Sequence, residues 1–441
     1  MYFMYNQDMG NKVIDSRKGK NKKVLSLFSG CGGMDLGFEG SFKVPSACVN
    51  KDIHPDWVKN ESNNFIELQP TDFNLVFAND IMDIAKTAWN SYFKKYGYSD
   101  NIFHLKSIVD LVKAYKKGEY SFPENIDIVT GGFPCQDFSV AGKRRGFNSE
   151  KSHNGKKEDF DVPTTETRGM LYLWMKEVIE ITKPKVFIAE NVKGLVSFGD
   201  IKEIIENDFR NIDEGYLVVP ARVLFAGDYG VPQKRERVIF IGLNKKYLKK
   251  DALKALTQEN ISEEYDPYPI KTHYDNSKTT AQLSLLNNND KLKPYVTTSE
   301  VVKDLKEPAE EIKDLAQMCY SKAKYCPNSQ GQTEINLNGL APTIRAEHHG
   351  NIEYRRLSKD NGGTHFSELK QGLEERRLTV RECARFQTFP DDYPFVQAAE
   401  KAGRYKLSAS SAYKLIGNAV PPLLAYNIAK RLEELWDKLF K

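Results

Sequence analysis

Four groups of residues in this chain could act on a ligand, and the first three each follow a short apolar run. Cys135 sits in GGFPCQDFSVAGKRRG (131–146), held between a proline and a glutamine. It follows ENIDIVT directly, a segment with the β-branched content of a buried strand, so the thiol should stand in a turn at the strand's carboxyl end. In α/β sheets ligands bind at that edge. A carboxylate, Glu190, closes the apolar run of KVFIAENVKGL (185–195) together with Asn191, and in a parallel sheet it would emerge on the same edge. A thiol and a carboxylate converging there suit covalent chemistry with a proton donor. Neither segment offers a histidine as base for a protease-like dyad. A free cysteine is most often a small buried hydrophobe, but the GGFP turn argues against burial inside a strand.

The third group is the glycine turn of LFSGCGGMDLGF (27–38), which follows a strand and opens a helix. There the backbone can approach a ligand at a helix N-terminus. Glycines 30, 32 and 33 do not make GxGxxG, which weakens a dinucleotide reading. Asp52 closes a second strand region in VNKDI, and Asp80 a third in FANDI. A carboxylate at the second strand tip suits a ribose diol, and one at the third can accept from an adenine amino group. Taken singly, the turn could be a tight strand-to-helix connection and each Asp an exposed side chain. A glycine turn and two acids at three successive strand ends favour an adenosine-containing cofactor. Further on, DYGVPQKRERVIFIG (228–242) places Gln233, Arg235 and Arg237 at alternate positions leading into a strand, so that they share one face and could hold a polar ligand.

Such groups need a sheet to position them. From residue 24 to about 243, VLSLF, SACVN, NLVFAN, DIVTGG, VFIAEN and VIFIGL alternate with helical patterns, which predicts an α/β fold with a mostly parallel, doubly wound sheet. Residues 83–125 are long for a connection and read as an insertion. From 245 onward the alternation is lost and Lys, Asn, Asp and Ser dominate, the mark of a second, smaller and more irregular domain. The expected division is a catalytic domain, 1–244 plus 405–441, and a second domain at 245–404. Thr379 is the expected N-cap of a helix in LTVRECARFQ, and PPLLAYNIAKRLEELWDKLF the expected C-terminal helix, opened by proline.

A chain of 441 residues with 40% hydrophobic content and a formal charge of +4 is expected to fold as soluble globular domains. No signal-peptide pattern or membrane-length apolar run is present, so the expected location is cytoplasmic. Six cysteines without a CxxC pair argue against a zinc ribbon or disulfide framework. Basic residues are clumped at Lys143/Arg144/Arg145, Lys234/Arg235/Arg237, Lys245/Lys246, Arg355/Arg356 and Arg376/Arg377/Arg381. Such clumps are either solvated surface or a nucleic-acid footprint.

These segments resemble the cytosine-C5 DNA methyltransferases, particularly those of bacterial restriction and modification systems. FSGCGGMDLGF looks like the family's cofactor loop, GGFPCQDFSVAGKRRG its nucleophile loop, AENV its acidic motif and QKRER its QxRxR motif. RRLTVRECARFQTFPDDY and YKLIGNAVPP look like its two C-terminal motifs, and all six occur in the family's order. The resemblance implies a Rossmann-like S-adenosylmethionine-dependent domain with a target-recognition domain. It places the cofactor against Phe28, Ser29, Gly30, Cys31, Gly32, Gly33, Asp52, Ile53, Asp80, Ile81 and Pro134, with Asn418 and Ala419 closing the pocket. Two departures stand out: Asp52 is usually Glu in this family, and Asp137 replaces a frequent proline.

The resemblance also implies the chemistry: Cys135 adds to C6 of a flipped cytosine, Glu190 holds a proton near N3, Arg237 contacts O2, and Arg235 and Gln233 assist. Gln136, Ser139, Lys143, Arg144, Arg145, Gln233, Thr343 and Arg345 are the implied DNA contacts. The implied partners are double-stranded DNA and a cognate restriction endonuclease, for a monomeric, nucleoid-associated bacterial enzyme that uses no metal. His348 and His349 therefore read as backbone or base contacts. A transfer-RNA methyltransferase of the same family is the nearest alternative, and the long stretch between QKRER and RRLTV favours DNA. A catalytically silent DNA-binding relative is countered by the intact Cys135, Glu190 and Arg237, and a dehydrogenase by the missing GxGxxG.

Overall fold

The computed structural model describes residues 19–134, 170–197, 200–213, 215–275, 291–308, 313–346, 352–401 and 403–441. Cys135, Gln136, Ser139, Lys143, Arg144, Arg145, His348 and His349 lie outside the described residues. The framework strands are β1 (Lys22–Leu27), β2 (Lys43–Pro45), β3 (Val58–Ser62), β4 (Phe65–Leu68), β5 (Phe73–Asp80), β6 (Phe103–Leu105), β7 (Ile128–Gly132), β8 (Val186–Val192), β9 (Tyr216–Phe225) and β10 (Glu236–Asn244). The helices around them are α1 (Gly33–Glu39), α2 (Asp83–Phe93), α3 (Ile108–Lys116), α4 (Leu171–Thr182), α5 (Ile201–Arg210), α6 (Lys250–Leu256), α7 (Val380–Phe386), α8 (Ala409–Asn418) and α9 (Pro422–Leu439).

Seven strands form the central sheet, in the order β6-β5-β1-β7-β8-β10-β9. Neighbours from β6 to β8 run parallel, while β10 is antiparallel to both β8 and β9. Along these strands successive residues feed opposite faces, and both faces are buried. Ile128, Ile188 and Ile239 enter the core beneath α1 and α9, whereas Val129, Phe187, Ala189 and Phe240 enter the one beneath α3, α4 and α5. This is the doubly wound α/β arrangement expected from the alternating pattern.

Two expectations about connectivity are corrected. The SACVN run forms no central strand: Ser46–Cys48 is a single 3₁₀ turn that follows β2. β2, β4 and β3 make a separate three-stranded sheet, whose β3–β4 hairpin turns through Asn63 (φ 51°) and Asn64 (φ 64°), the paired left-handed residues of a type I′ turn. The eight-residue run of β5 takes the place beside β1 instead. Residues 83–125, expected as an insertion, supply α2, the edge strand β6 and α3. The true excursion from the sheet is the stretch holding β2 to β4.

The basic clumps at the C-terminal side are internal. Arg376 pairs with Glu307 at 2.6 Å and Glu382 at 2.9 Å, and Arg381 with Asp314 at 2.6 Å. Arg356 pairs with Glu368 and Glu307, and Arg377 lies over the Tyr354 ring at 4.2 Å. Burial of these guanidinium groups is tolerated because each is paired or hydrogen-bonded. They are therefore neither a DNA-facing patch nor a solvated one. Thr379 caps α7 in a capping box with Glu382, as the sequence predicts.

Candidate active site

β7 and β8 run side by side in parallel, with Gly132 opposite Glu190. A Cβ on Gly132 would lie 2.6 Å from Glu190 Oε2, so any larger residue there would push the carboxylate out of this position. β10 runs the other way and begins where β8 ends, with Ile239 opposite Glu190 and Arg237 opposite Val192. A spacing of two returns the side chain to the same face, and Arg237 Nε meets Glu190 Oε1 at 2.6 Å. Arg237 Nη1 also donates to the Glu236 carbonyl at 2.8 Å. The pair is almost wholly enclosed, with side-chain exposures of 10% for Arg237 and 9% for Glu190.

Burial pushes the Glu190 carboxyl above its ordinary value, while the charges of Arg237 and Arg235 pull the other way. The group is thus a carboxyl that can hold a proton yet is kept oriented by a cation. Asn191, the next residue, donates from Nδ2 to the Phe133 carbonyl at 3.2 Å. It ties the end of β8 to the start of the loop in which Pro134 is half-buried. Cys135 lies outside the described residues, but the chain reaches it only three positions after Gly132 and one after Pro134. Gly132 and Asn191 were visible in the sequence as part of the GGFP turn and the AENV strand end, but their contacts with Glu190 and the Phe133 carbonyl were not.

At the end of β1 the chain turns through Phe28 (φ 53°), Gly30 (φ 55°) and Gly32 (φ 78°), which caps α1. A side chain at Gly32 would collide with Phe93 and Trp89, its Cβ lying 2.6 Å and 2.8 Å from their rings. Beneath the turn, Asp35 accepts from Ser26 Oγ at 2.5 Å and Trp89 Nε1 at 2.7 Å, and burial pushes its carboxyl up to about 6. Behind the turn comes the end of α8: Cys31 Sγ approaches the Leu415 carbonyl at 3.5 Å, and Gly33 lies against Ala419 and Val420. Asn418 and Ala419 are thus brought to the glycine turn, with Asn418 exposed. The Tyr393 hydroxyl donates to the Cys31 carbonyl at 2.6 Å, which fixes the turn from the other side.

The two acids separate sharply. Asp80 ends β5 beside the turn, its Oδ2 accepting from the Gly30 N–H at 3.0 Å and its Oδ1 from the Met82 N–H at 2.9 Å. Burial pushes its carboxyl up. Next to it, Ile81 is an apolar side chain left 42% exposed. Asp52 stands at no central strand end: it follows the 3₁₀ turn, its side chain is 64% exposed, and it pairs with Lys293 at 3.3 Å. Ile53 goes with it. In the sheet Asp80 therefore occupies the second strand tip, the position expected for Asp52, and the third strand, β6, ends in Leu105 and Lys106 without a carboxylate.

QKRER is also divided. Arg235 was expected to assist Arg237, yet it has no exposed surface and donates to the carbonyls of Ile344 (3.1 Å), Gly417 (2.8 Å) and Ala419 (2.7 Å). Gln233, expected at DNA, is equally buried and accepts from the Ile344 N–H at 3.3 Å. The strand begins only at Glu236, so strict alternation does not extend back to these residues. Thr343 donates to the Lys234 carbonyl, and Arg345 pairs with Glu353 at 2.9 Å; both are half-buried in internal contacts. Lys234, between the two buried residues, is exposed.

The family model described as C-5 cytosine-specific DNA methylase matches residues 22–434. The Type II methyltransferase M.BspRI of Lysinibacillus sphaericus is 30% identical over 445 residues, covering 97% of this chain and 85% of that protein. The Type II methyltransferase M.BsuRI of Bacillus subtilis is 30% identical over 433 residues, covering 96% of this chain and 82% of that protein. Among solved structures, a mutant DNMT2 of Spodoptera frugiperda superposes with a TM-score of 0.52 at 17% identity, covering 94% of this chain and 100% of that one. The Entamoeba histolytica methyltransferase EhMeth gives 0.51 at 13% identity, covering 95% of this chain and 99% of that one. Both structural likenesses bear on the fold alone.

Proposed function

The chain belongs to the C-5 cytosine-specific DNA methylase family and is a sequence-specific DNA cytosine-5 methyltransferase, and on that premise we propose that Cys135, Glu190 and Arg237 carry the reaction. The observation that supports this reading best is the enclosed Glu190–Arg237 pair, built against Gly132 three residues before the thiol.

Cytosine C5 is too weak a nucleophile to take a methyl group unaided. The Cys135 thiolate forms an Sγ–C6 bond, the C5=C6 electron pair moves into the ring, and the Glu190 proton passes to N3 as charge develops there. Arg237, held by Glu190, offers its remaining N–H groups to O2. C5 then takes the methyl group. A base removes the C5 proton, that electron pair re-forms C5=C6, the Sγ–C6 bond breaks to return the thiolate, and N3 gives its proton back to Glu190. A pocket-bound thiol cannot reach a base inside a duplex, so the cytosine must be flipped out, at a cost of roughly a few kcal/mol. Lys143, Arg144, Arg145 and the exposed Lys234 are the basic groups proposed to meet phosphates.

S-adenosylmethionine is the methyl donor this site fits: when bound it supplies an electrophilic methyl group. The glycine turn gives backbone access, Asp80 keeps unused lone pairs for ribose hydroxyls, and Ile81 presents apolar surface to an adenine face. Asp80→Ala is therefore expected to weaken equilibrium binding of S-adenosylhomocysteine by about tenfold or more, the loss of one to two charge-assisted hydrogen bonds. Asp52→Ala is expected to stay within about twofold, as for an exposed ion pair. The reverse ranking would return the ribose role to Asp52.

We further propose that the methylated sites protect DNA from a cognate endonuclease in the cytoplasm, as the Type II relatives suggest. With labelled S-adenosylmethionine the purified protein is expected to label cytosine C5 in duplex DNA and leave transfer RNA unlabelled. Label appearing in transfer RNA alone would overturn the DNA assignment.

A further inference from the structure

Arg235 sits where three separate segments meet, and its hydrogen bonds link two of them to the strand that carries Arg237. Its Nη1 holds the Ile344 carbonyl at 3.1 Å, and its Nη2 holds those of Gly417 at 2.8 Å and Ala419 at 2.7 Å. The latter two are carbonyls at the C-terminal end of α8, beyond the reach of the helix's own N–H groups, where a buried cation also meets the negative end of the helix dipole. Gln387 grips the same end as well, donating to the Ile416 carbonyl at 2.7 Å and the Ala419 carbonyl at 3.1 Å.

The Ile344 segment is zipped along the residues before Arg235. The Lys234 N–H donates to the Ala341 carbonyl at 2.8 Å, and the Ala341 N–H to the Pro232 carbonyl at 3.0 Å. It then presses on α8: a Cβ at Gly417 would lie 2.3 Å from the Arg345 carbonyl carbon and 2.4 Å from the Ala346 nitrogen. On its far side the end of α8 covers the glycine turn, with Val420 O at 2.3 Å from a Cβ built on Gly33. No slack separates the Ile344 segment from the turn, so displacing one displaces the other.

We propose that Arg235 is a positioning residue that couples cofactor binding to DNA binding, by holding the segment at 341–346 and the pocket-closing residues 416–420 as one unit. The inference rests on the proposed reading that 341–346 belongs to the DNA-recognition region and 416–420 closes the cofactor pocket. Ordering either segment by its ligand pre-orders the other, which lowers the cost of the second binding event. By reciprocity each ligand tightens the other by the same factor.

The test measures S-adenosylhomocysteine affinity with and without a duplex that the wild-type protein methylates. The ratio of the two is expected to be about fivefold or more in the wild type, and below about twofold in Arg235→Lys, which keeps the charge but loses the fork that spans three carbonyls. A purely structural role would weaken both affinities and leave the ratio unchanged. An unchanged ratio in a folded Arg235→Lys protein, or the absence of coupling in the wild type, overturns the proposal. Gly417→Ala, which wedges the same junction apart, is expected to lower the ratio likewise, and answers the question if Arg235→Lys does not fold. Cys135→Ser separates this inference from the catalytic reading: it should keep the coupling and lose methyl transfer, and transfer surviving in it would overturn the reaction without touching the junction.

Discussion

Cys135→Ser is expected to abolish methyl transfer, lowering the single-turnover rate by at least about four orders of magnitude, as removal of a nucleophile does elsewhere. A thiol with an ordinary pKa of roughly 8.5 supplies some thiolate near neutrality, and sulfur attacks a polarised ring carbon readily. A serine hydroxyl does neither unless a strong base stands beside it. The described end of β8 contributes a carboxyl paired with a guanidinium group, neither of which is such a base. Binding of S-adenosylhomocysteine should stay within about twofold of wild type, because most residues proposed to hold the cofactor stand at the ends of β1, β5 and α8 rather than on the Cys135 side chain. Quenched-flow transfer to duplex DNA and calorimetric binding measure the two effects separately. Transfer at an undiminished rate would remove Cys135 from the mechanism.

Glu190→Gln is expected to lower the rate by about 10²- to 10⁴-fold, the range for loss of a positioned proton donor. The amide keeps the shape and can still hydrogen-bond to N3, but it cannot give up a proton. The pH dependence carries the sign. Burial raises the Glu190 carboxyl above its ordinary 4.5, so its protonated form persists to higher pH than an exposed glutamate's would. The wild-type rate should carry a limb that falls as pH rises through that raised value, and this limb should vanish in Glu190→Gln. Arg237→Ala removes one of the charges that oppose the shift, so the limb should move further up in pH while the maximal rate drops. A profile identical in wild type and Glu190→Gln would show that Glu190 does not supply the proton.

The strand ends proposed to carry this chemistry were legible because a buried parallel strand is a short apolar run, and polar residues directly after it fall on the ligand-binding edge. Gly30, Asp80, Gly132 and Glu190 all stand where such runs stop. Sequence could not say which runs join the central sheet. VNKDI and FANDI look alike, each placing an Asp-Ile pair shortly after an apolar run, and only the pairing of β5 with β1 shows that the second is at the sheet edge. Misplacing that one strand also turned β6 and its flanking helices into an insertion. The buried arginines were illegible for a related reason: an Arg pair in the sequence looks the same whether it faces phosphate or Glu307 and Glu382. Burial is decided by what the rest of the chain brings to it. Likewise the even spacing of Gln233, Arg235 and Arg237 predicts a common face, but the strand that enforces alternation begins after Arg235. Its two side chains upstream serve the junction with 341–346 instead.

The most direct test of the central claim uses duplex DNA in which the target cytosine is 5-fluorocytosine, incubated with S-adenosylmethionine. Fluorine at C5 blocks the proton loss that releases the thiol, so the covalent bond between Sγ and C6 should persist. The predicted result is a one-to-one protein–DNA adduct, stable to denaturation, that maps by mass spectrometry to Cys135 and fails to form with Cys135→Ser. A protein that methylates ordinary duplex DNA yet yields no adduct on the fluorinated one, or whose adduct maps to another residue, would contradict it.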